Sequence, residues 1–167
     1  EVAWSLLAVN LKMKYIIAVD IGGTTFNTGI LTESLDIIFV SDKDKIRYYS
    51  NREEIAAAIS SQIETSINNN NIDKSDIIGI GVASPGPLDS KKGIILNTPN
   101  LKTFQNFKIA DYFNKKFGIQ TFLENDANLF ALGEWYSSYK KKNTVLGVTL
   151  GTGLGFGFVI NGKLFKG

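Results

Sequence analysis

Two stretches of this chain carry the same pattern, and it narrows the possible folds more than any other feature. Tyr15 to Asp20 is a nearly continuous apolar, β-branched run ending in an acid, as in a strand buried on both faces. Ile21-Gly22-Gly23-Thr24-Thr25 signals a turn, and Phe26 to Leu31 reads as the returning strand of a hairpin. The pattern recurs in Thr144 to Leu150, Gly151-Thr152-Gly153 and Gly155 to Ile160. The second copy stops soon after it starts, which suggests an internal duplication cut short.

The segment between the two units alternates strand and helix signals. Leu35 to Val40 reads as a third strand, and the mixed charges of Ser41 to Arg47 as a solvated loop. Asn51 and Glu54 stand at capping-box spacing, followed by Ile55, Ile59, Ile63 and Ile67 as a helical stripe. Asn68 to Asn71 ends that helix. Ile77 to Ala83 is a buried strand leading into Ser84-Pro85-Gly86-Pro87, a second helix falls within Ile109 to Phe117, and Ile119 to Leu123 is a strand. Asp126 to Tyr139 is a third helix, closed by Lys140-Lys141-Lys142 where cations suit the helix dipole. The order β-β-β-α-β-α-β-α predicts an α/β domain with a mixed sheet.

Composition removes several chemistries. The 167 residues include no Cys and no His, which excludes a disulfide framework, a thiolate nucleophile, a Ser-His-Asp triad and a zinc site built on those ligands. Proton transfer then falls to Asp, Glu, Lys, Tyr or water, and metal binding to hard oxygen ligands of the Mg²⁺ type. With 18 Lys+Arg against 16 Asp+Glu, the net charge of +2 gives no broad reason to expect nucleic acid or an anionic membrane as partner. No apolar run reaches the ~20 residues needed to cross a bilayer. The only methionine is Met13, so synthesis is expected to start there, residues 1–12 to be a cloning remnant, and the protein to be cytoplasmic.

Four segments could carry chemistry, and each has a plainer structural reading. Asp20-Ile21-Gly22-Gly23-Thr24-Thr25 is either an ordinary tight turn or a site where backbone N–H groups meet an anion, with Asp20 holding a water on Mg²⁺. Leu150 to Gly157, with four alternate glycines, matches neither a P-loop nor a dinucleotide fingerprint. It is either a strand lying close on another backbone or the second half of a polyphosphate grip. Glu124-Asn125-Asp126-Ala127-Asn128 sits between a strand end and a helix start, the rim where α/β sheets bind ligands. There Asp126 is either an N-cap or a base for an attacking hydroxyl, with Asn125 holding a polyol. Ser84 to Asp89 is either a rigid turn or one wall of a ligand pocket.

Taken in order, these segments resemble the ROK family of sugar kinases and repressors, within the actin/hexokinase/Hsp70 ATPase superfamily. Asp20 to Thr24 resembles the family's first phosphate motif, and Leu150 to Gly155 its second. Gly79 to Asp89 with Asn97-Thr98-Pro99-Asn100-Leu101 is similar to the sugar-side loop, and Glu124 to Asn128 with Ala131 to Glu134 is similar to the catalytic segment. The resemblance covers residues 14–167 and implies a ribonuclease H-like (actin-like ATPase) domain at 14–143, with 144–167 as the first hairpin of a second. It further implies transfer of the γ-phosphoryl group of ATP to a hexose hydroxyl. Asp126 would be the general base, Asn125 would bind sugar hydroxyls with Gly86 lining the pocket, and Asp20 would lie near Mg²⁺. Gly22, Gly23, Thr24, Gly151, Thr152 and Gly153 would surround the phosphates.

The departures from the family pattern are as informative. Members are about twice this length, and their Gly-x-x-Gly-Glu-x-Gly-His motif and zinc-binding cysteines are absent here. Thr25 stands where many members carry Lys or Asn. The expectation is an N-terminal piece of a ROK kinase that is inactive or nearly so by itself and forms a homo-oligomer, with sugar and nucleotide as its small-molecule partners. Two rivals are a sugar-sensing repressor, which would need a DNA-binding domain ahead of Lys14, and a short binding module that has lost turnover.

Overall fold

The computed structural model describes residues 13–99, 101–151 and 153–166. Residues 1–12, expected to be a cloning remnant, and Thr152, expected beside phosphate, lie outside them. Strands β1 (Tyr15–Ile21) and β2 (Thr25–Thr32) form the expected hairpin, with Ile21 opposite Phe26. β3 (Ile37–Val40) and β4 (Asp44–Lys45) both pair with β2. β5 (Ile77–Ser84) and β8 (Thr121–Asn125) add parallel to β1, giving a mixed sheet of order β3-β2-β1-β5-β8. Between them, β6 (Leu88–Asp89) and β7 (Ile94–Ile95) make a small antiparallel pair.

Helix α1 (Arg52–Asn69) starts where its cap directs: the Asn51 side chain accepts the Glu54 N–H at 2.8 Å, and the Glu54 carboxylate accepts the Ser50 N–H at 2.8 Å. Its stripe Ile55, Ile59 and Ile63 is fully buried against Ile17, Val19 and Ile21 of β1, Ile30 of β2, and Ile80 and Val82 of β5. Helix α2 (Ile109–Phe117) adds Phe113 and Phe117 to the same core and ends at Gly118, whose φ of 67° permits the left-handed cap.

Helix α3 (Asp126–Ser138) leads into a second, antiparallel sheet of β9 (Thr144–Leu150), β10 (Leu154–Ile160) and β11 (Lys163–Phe165), in the order β11-β10-β9. α3 lies between the sheets, touching β5 and β8 of the first and all three strands of the second.

Several boundaries differ from the sequence reading for identifiable reasons. The third strand begins at Ile37, not Leu35, because Leu35 closes a turn at φ 70°, with its N–H on the Thr32 carbonyl. The strand predicted from Ile119 starts at Thr121, since the chain is still leaving the helix cap, and it extends to Asn125. The charge run Ser41 to Arg47 is not a plain loop: it holds β4 and leads into a 3₁₀ turn at Ile46–Tyr48, anchored by buried Ile46. Lys140 to Lys142 fall just past α3, where the Lys140 ammonium sits 3.6 Å from the centre of the Tyr136 ring.

Candidate active site

The parallel strands β5 and β8 end side by side, with Ser84 opposite Asn125, and deliver the two ligand-side loops to one rim. The Ser84–Asp89 loop is held from behind: the buried Thr98 hydroxyl donates to the Pro87 carbonyl at 3.2 Å, and the Leu96 N–H donates to it at 3.0 Å. Opposite it, Asn125 caps α3, its Oδ1 accepting the N–H groups of Ala127 and Asn128 at 3.1 and 3.2 Å. That cap fixes the orientation of the amide. The Nδ2 group is left facing Gly86, where a Cβ built on the glycine would stand 3.5 Å from it. Asp126 spends Oδ1 on the Ala127 N–H at 2.8 Å, leaving its other oxygen to the cleft.

A cleft of about 320 Å³ gathers most of the predicted residues: Gly22, Gly23, Gly86, Asn125, Asp126, Gly151 and Gly153 all line it. The two glycine turns therefore approach each other across the rim that carries Asn125 and Asp126. Two predicted residues lie outside the cleft itself. Thr24 lines an adjoining cavity of about 390 Å³ with Gly23, Thr25, Lys45, Ile46 and Arg47. Asp20 lines a third cavity, of about 400 Å³, on the open face of the first sheet beside Asn27 and Leu129.

Electrostatics ties Asp20 back to the cleft. Its side chain keeps access to solvent, yet the walls around it remove enough water to raise its pKa. The Lys43 charge opposes that rise and the Asp126 charge adds to it. A carboxylate there is a hard-oxygen donor of the type that suits Mg²⁺ held through water. Among the described residues no group of three or more acidic side chains could enclose a metal unaided.

Two features were left open or missed in the sequence reading. Gly157 serves packing, and Gly155 both packs on α3 and lines the cleft. A Cβ on Gly155 would come 2.8 Å from the Ala127 Cβ, and one on Gly157 2.3 Å from the Ala127 carbonyl oxygen. The four alternate glycines thus divide, Gly151 and Gly153 facing the cleft, Gly157 seating the second sheet on α3, and Gly155 doing both. The other feature is Glu124, which binds the Asn125 N–H at 2.9 Å and the Asn128 side chain at 3.0 Å, and pairs with Lys166 just past β11. Burial pushes its pKa up, but the bonds from Lys166, Asn128 and Asn125 prevail and hold it below the usual carboxylate range. Nothing local in the sequence marks Lys166 as a partner 42 positions away from Glu124.

The chain resembles known proteins over nearly its whole length. The sequence model of the ROK family matches residues 16–167. The chain is 36% identical to a glucokinase of Thermotoga maritima, over 93% of this chain and 47% of that protein. It is 30% identical to a xylose repressor of Caldicellulosiruptor bescii, over 97% of this chain and 40% of the repressor. Among solved structures, a ROK family glucokinase from Streptomyces griseus in complex with glucose and AMPPNP superposes with a TM-score of 0.78 at 29% identity, over 93% of this chain and 46% of that one. The chain therefore spans less than half the length of these relatives. No helix among the described residues is long and apolar enough to cross a membrane.

Proposed function

The chain belongs to the ROK family, and from that premise we propose that it supplies the catalytic rim and both phosphate-facing turns of a sugar kinase that moves the γ-phosphoryl group of ATP to a hexose hydroxyl. The observation that carries this reading is the single cleft in which the Gly22-Gly23 and Gly151-Gly153 turns meet Asn125 and Asp126. The glucokinases and the glucose-bound neighbour among its relatives support the substrate class.

In this reading the hexose lies against Gly86, and the Nδ2 of Asn125 donates to a sugar hydroxyl because Oδ1 is committed to capping α3. The free oxygen of Asp126 accepts the proton of the attacking hydroxyl, the usual task of a carboxylate in phosphoryl transfer. Backbone N–H groups of the two turns hold the phosphates of the nucleotide. Asp20, with Asp126 nearby, would hold Mg²⁺ through water, and the ion would supply neutralising charge to the phosphates. Most of the catalytic effect then comes from positioning and charge placement.

Asp126→Asn in the whole protein tests the reading. The amide keeps the shape of the carboxylate and cannot take the proton, so hexose-dependent ADP release should fall by at least ~100-fold, with hexose affinity changed by no more than ~threefold. An unchanged rate in the variant would exclude Asp126 as the base. The similarity to a xylose repressor favours a second reading, in which the same rim senses sugar without turnover. Wild-type protein that binds hexose but releases no ADP would favour that one.

A further inference from the structure

We infer that Glu124 and Asn128 are positioning residues for the sugar: together they hold the Asn125 amide with its donor toward the cleft, and Lys166 makes that hold depend on the second sheet. The inference rests on the sugar contact proposed for Asn125, and not on turnover.

Three hydrogen bonds close a triangle over the first turn of α3. The Asn125 N–H donates to Glu124 Oε1 at 2.9 Å, the Asn128 Nδ2 donates to the same oxygen at 3.0 Å, and the Asn128 N–H donates to Asn125 Oδ1 at 3.2 Å. In a capping box the side chain that accepts the N-cap N–H comes from the third residue of the helix. Here that residue is Asn128, and the acceptor is instead the Glu124 carboxylate, on the strand side of the cap. Two consequences follow from the exchange. The carboxylate is anchored in the first sheet, since Glu124 pairs with Ala83 of β5. Its second oxygen is also free for a cation from elsewhere, and Lys166 takes it, leaving the Glu124 side chain 13% exposed.

Helix ends fray, and a cap that also binds a ligand has to keep its amide still. Asn125 carries both duties: Oδ1 accepts from α3, and Nδ2 is the group facing Gly86. The triangle holds the peptide ahead of the cap through the Asn125 N–H, and the turn behind it through the Asn128 side chain. Asn125 lines the cleft, whereas Glu124 and Asn128 do not, so both act through Asn125. Lys166 extends the arrangement. It follows β11, in the sheet whose β9–β10 turn brings Gly151 and Gly153 to the cleft. Seating that sheet therefore presents the second phosphate-facing turn and completes the hold on the sugar-side amide together.

Calorimetric titration of the whole protein with glucose, the sugar bound in its Streptomyces griseus relative, tests the inference, with AMPPNP and Mg²⁺ as comparator. Asn128→Ala keeps the backbone N–H that Asn125 accepts and removes only the link to Glu124; thermal unfolding checks that it folds. Glucose affinity should fall at least ~fivefold while AMPPNP affinity changes by less than ~twofold. Lys166→Met should weaken glucose binding in the same direction and by less. Asn125→Ser keeps a helix cap but lacks the amide, so adding Asn128→Ala to it should change glucose affinity by less than ~twofold. An unchanged glucose affinity in Asn128→Ala, a matching loss for AMPPNP, or the full loss repeated in the Asn125→Ser background would overturn the inference. If Asn125→Ser binds glucose as the wild type does, or the wild type binds none, the proposed sugar contact fails and the positioning role with it. If Asn125→Ser loses glucose and Asn128→Ala does not, the positioning role alone fails.

Discussion

Gly157 rests on the backbone of Ala127: a Cβ placed on the glycine would stand 2.3 Å from the Ala127 carbonyl oxygen and 2.8 Å from the Ala131 Cβ. Gly147 meets the same helix, with a Cβ there 2.7 Å from the Ala131 Cβ. The second sheet therefore approaches α3 as closely as backbone permits, and α3 is the helix whose first turn carries Asn125 and Asp126. Packing of the second sheet and placement of the candidate base are one structural problem.

The two kinds of glycine in this segment should respond differently to substitution. Gly157→Ala forces strand and helix apart and should cost about 1–3 kcal/mol. Gly151→Ala meets nothing within 4 Å and should fall within about 0.5 kcal/mol of the wild type. Denaturant unfolding of both variants separates the cases, and equal losses would show that the close approach to α3 contributes nothing to stability.

The cap of α1 offers a test that does not depend on function. Asn51 satisfies the Glu54 N–H, and Glu54 reaches back to the Ser50 N–H. Asn51→Ala should lower stability by about 1 kcal/mol, and Asn51→Asp should retain most of it. Thermal unfolding of the two variants checks the order, and a silent Asn51→Ala would mean that tertiary packing alone fixes where the helix begins.

How much of this was legible in the chain depends on the range of the interaction involved. The α1 stripe, its cap and the β1–β2 hairpin are written in neighbouring residues, and they appear as read. So do the rim positions of Asn125 and Asp126, because a strand end followed by a helix start is a local signal. The seating of Gly155 and Gly157 on α3 was left open, since a glycine needed for a turn and one needed for close packing look the same in sequence. The β4 segment was misread because mixed charges resemble a solvated loop until Asp44 and Lys45 pair with β2. The Glu124–Lys166 pair needed the second sheet to fold back over α3 before the two residues could meet.

The outer face of the second sheet is apolar in the described residues. Leu146, Val148 and Leu150 of β9 and Leu154, Phe156, Phe158 and Ile160 of β10 are all exposed, while the alternate positions Gly147, Gly157 and Val159 are buried. A contiguous face of this kind binds apolar probes. The chain should therefore enhance the fluorescence of an anionic naphthalene dye, and Val148→Lys/Phe156→Lys should remove most of the enhancement while the secondary structure stays intact. A weakly fluorescent wild type would show that something covers this face in solution.

The Glu124–Lys166 tie should show itself through pH. In the folded chain the Glu124 carboxyl sits below its ordinary value of 4.5, so the unfolded chain takes up its proton first as pH falls. The stabilisation is then complete above the ordinary value and disappears as pH drops through the lower, folded one. Glu124→Gln should cost about 1–2 kcal/mol near neutrality, where a carboxylate with three donors is lost. At about pH 3 the deficit should shrink, because the wild-type carboxylate is by then being protonated too. Lys166→Met removes one donor and leaves Asn128 and the Asn125 N–H in place, so it should reproduce only part of the loss. Denaturant midpoints for the three proteins across this range give the test. A deficit independent of pH would mean that the side chain at 124 acts through its shape, and that the charge between β8 and the end of β11 does not hold the second sheet against the start of α3.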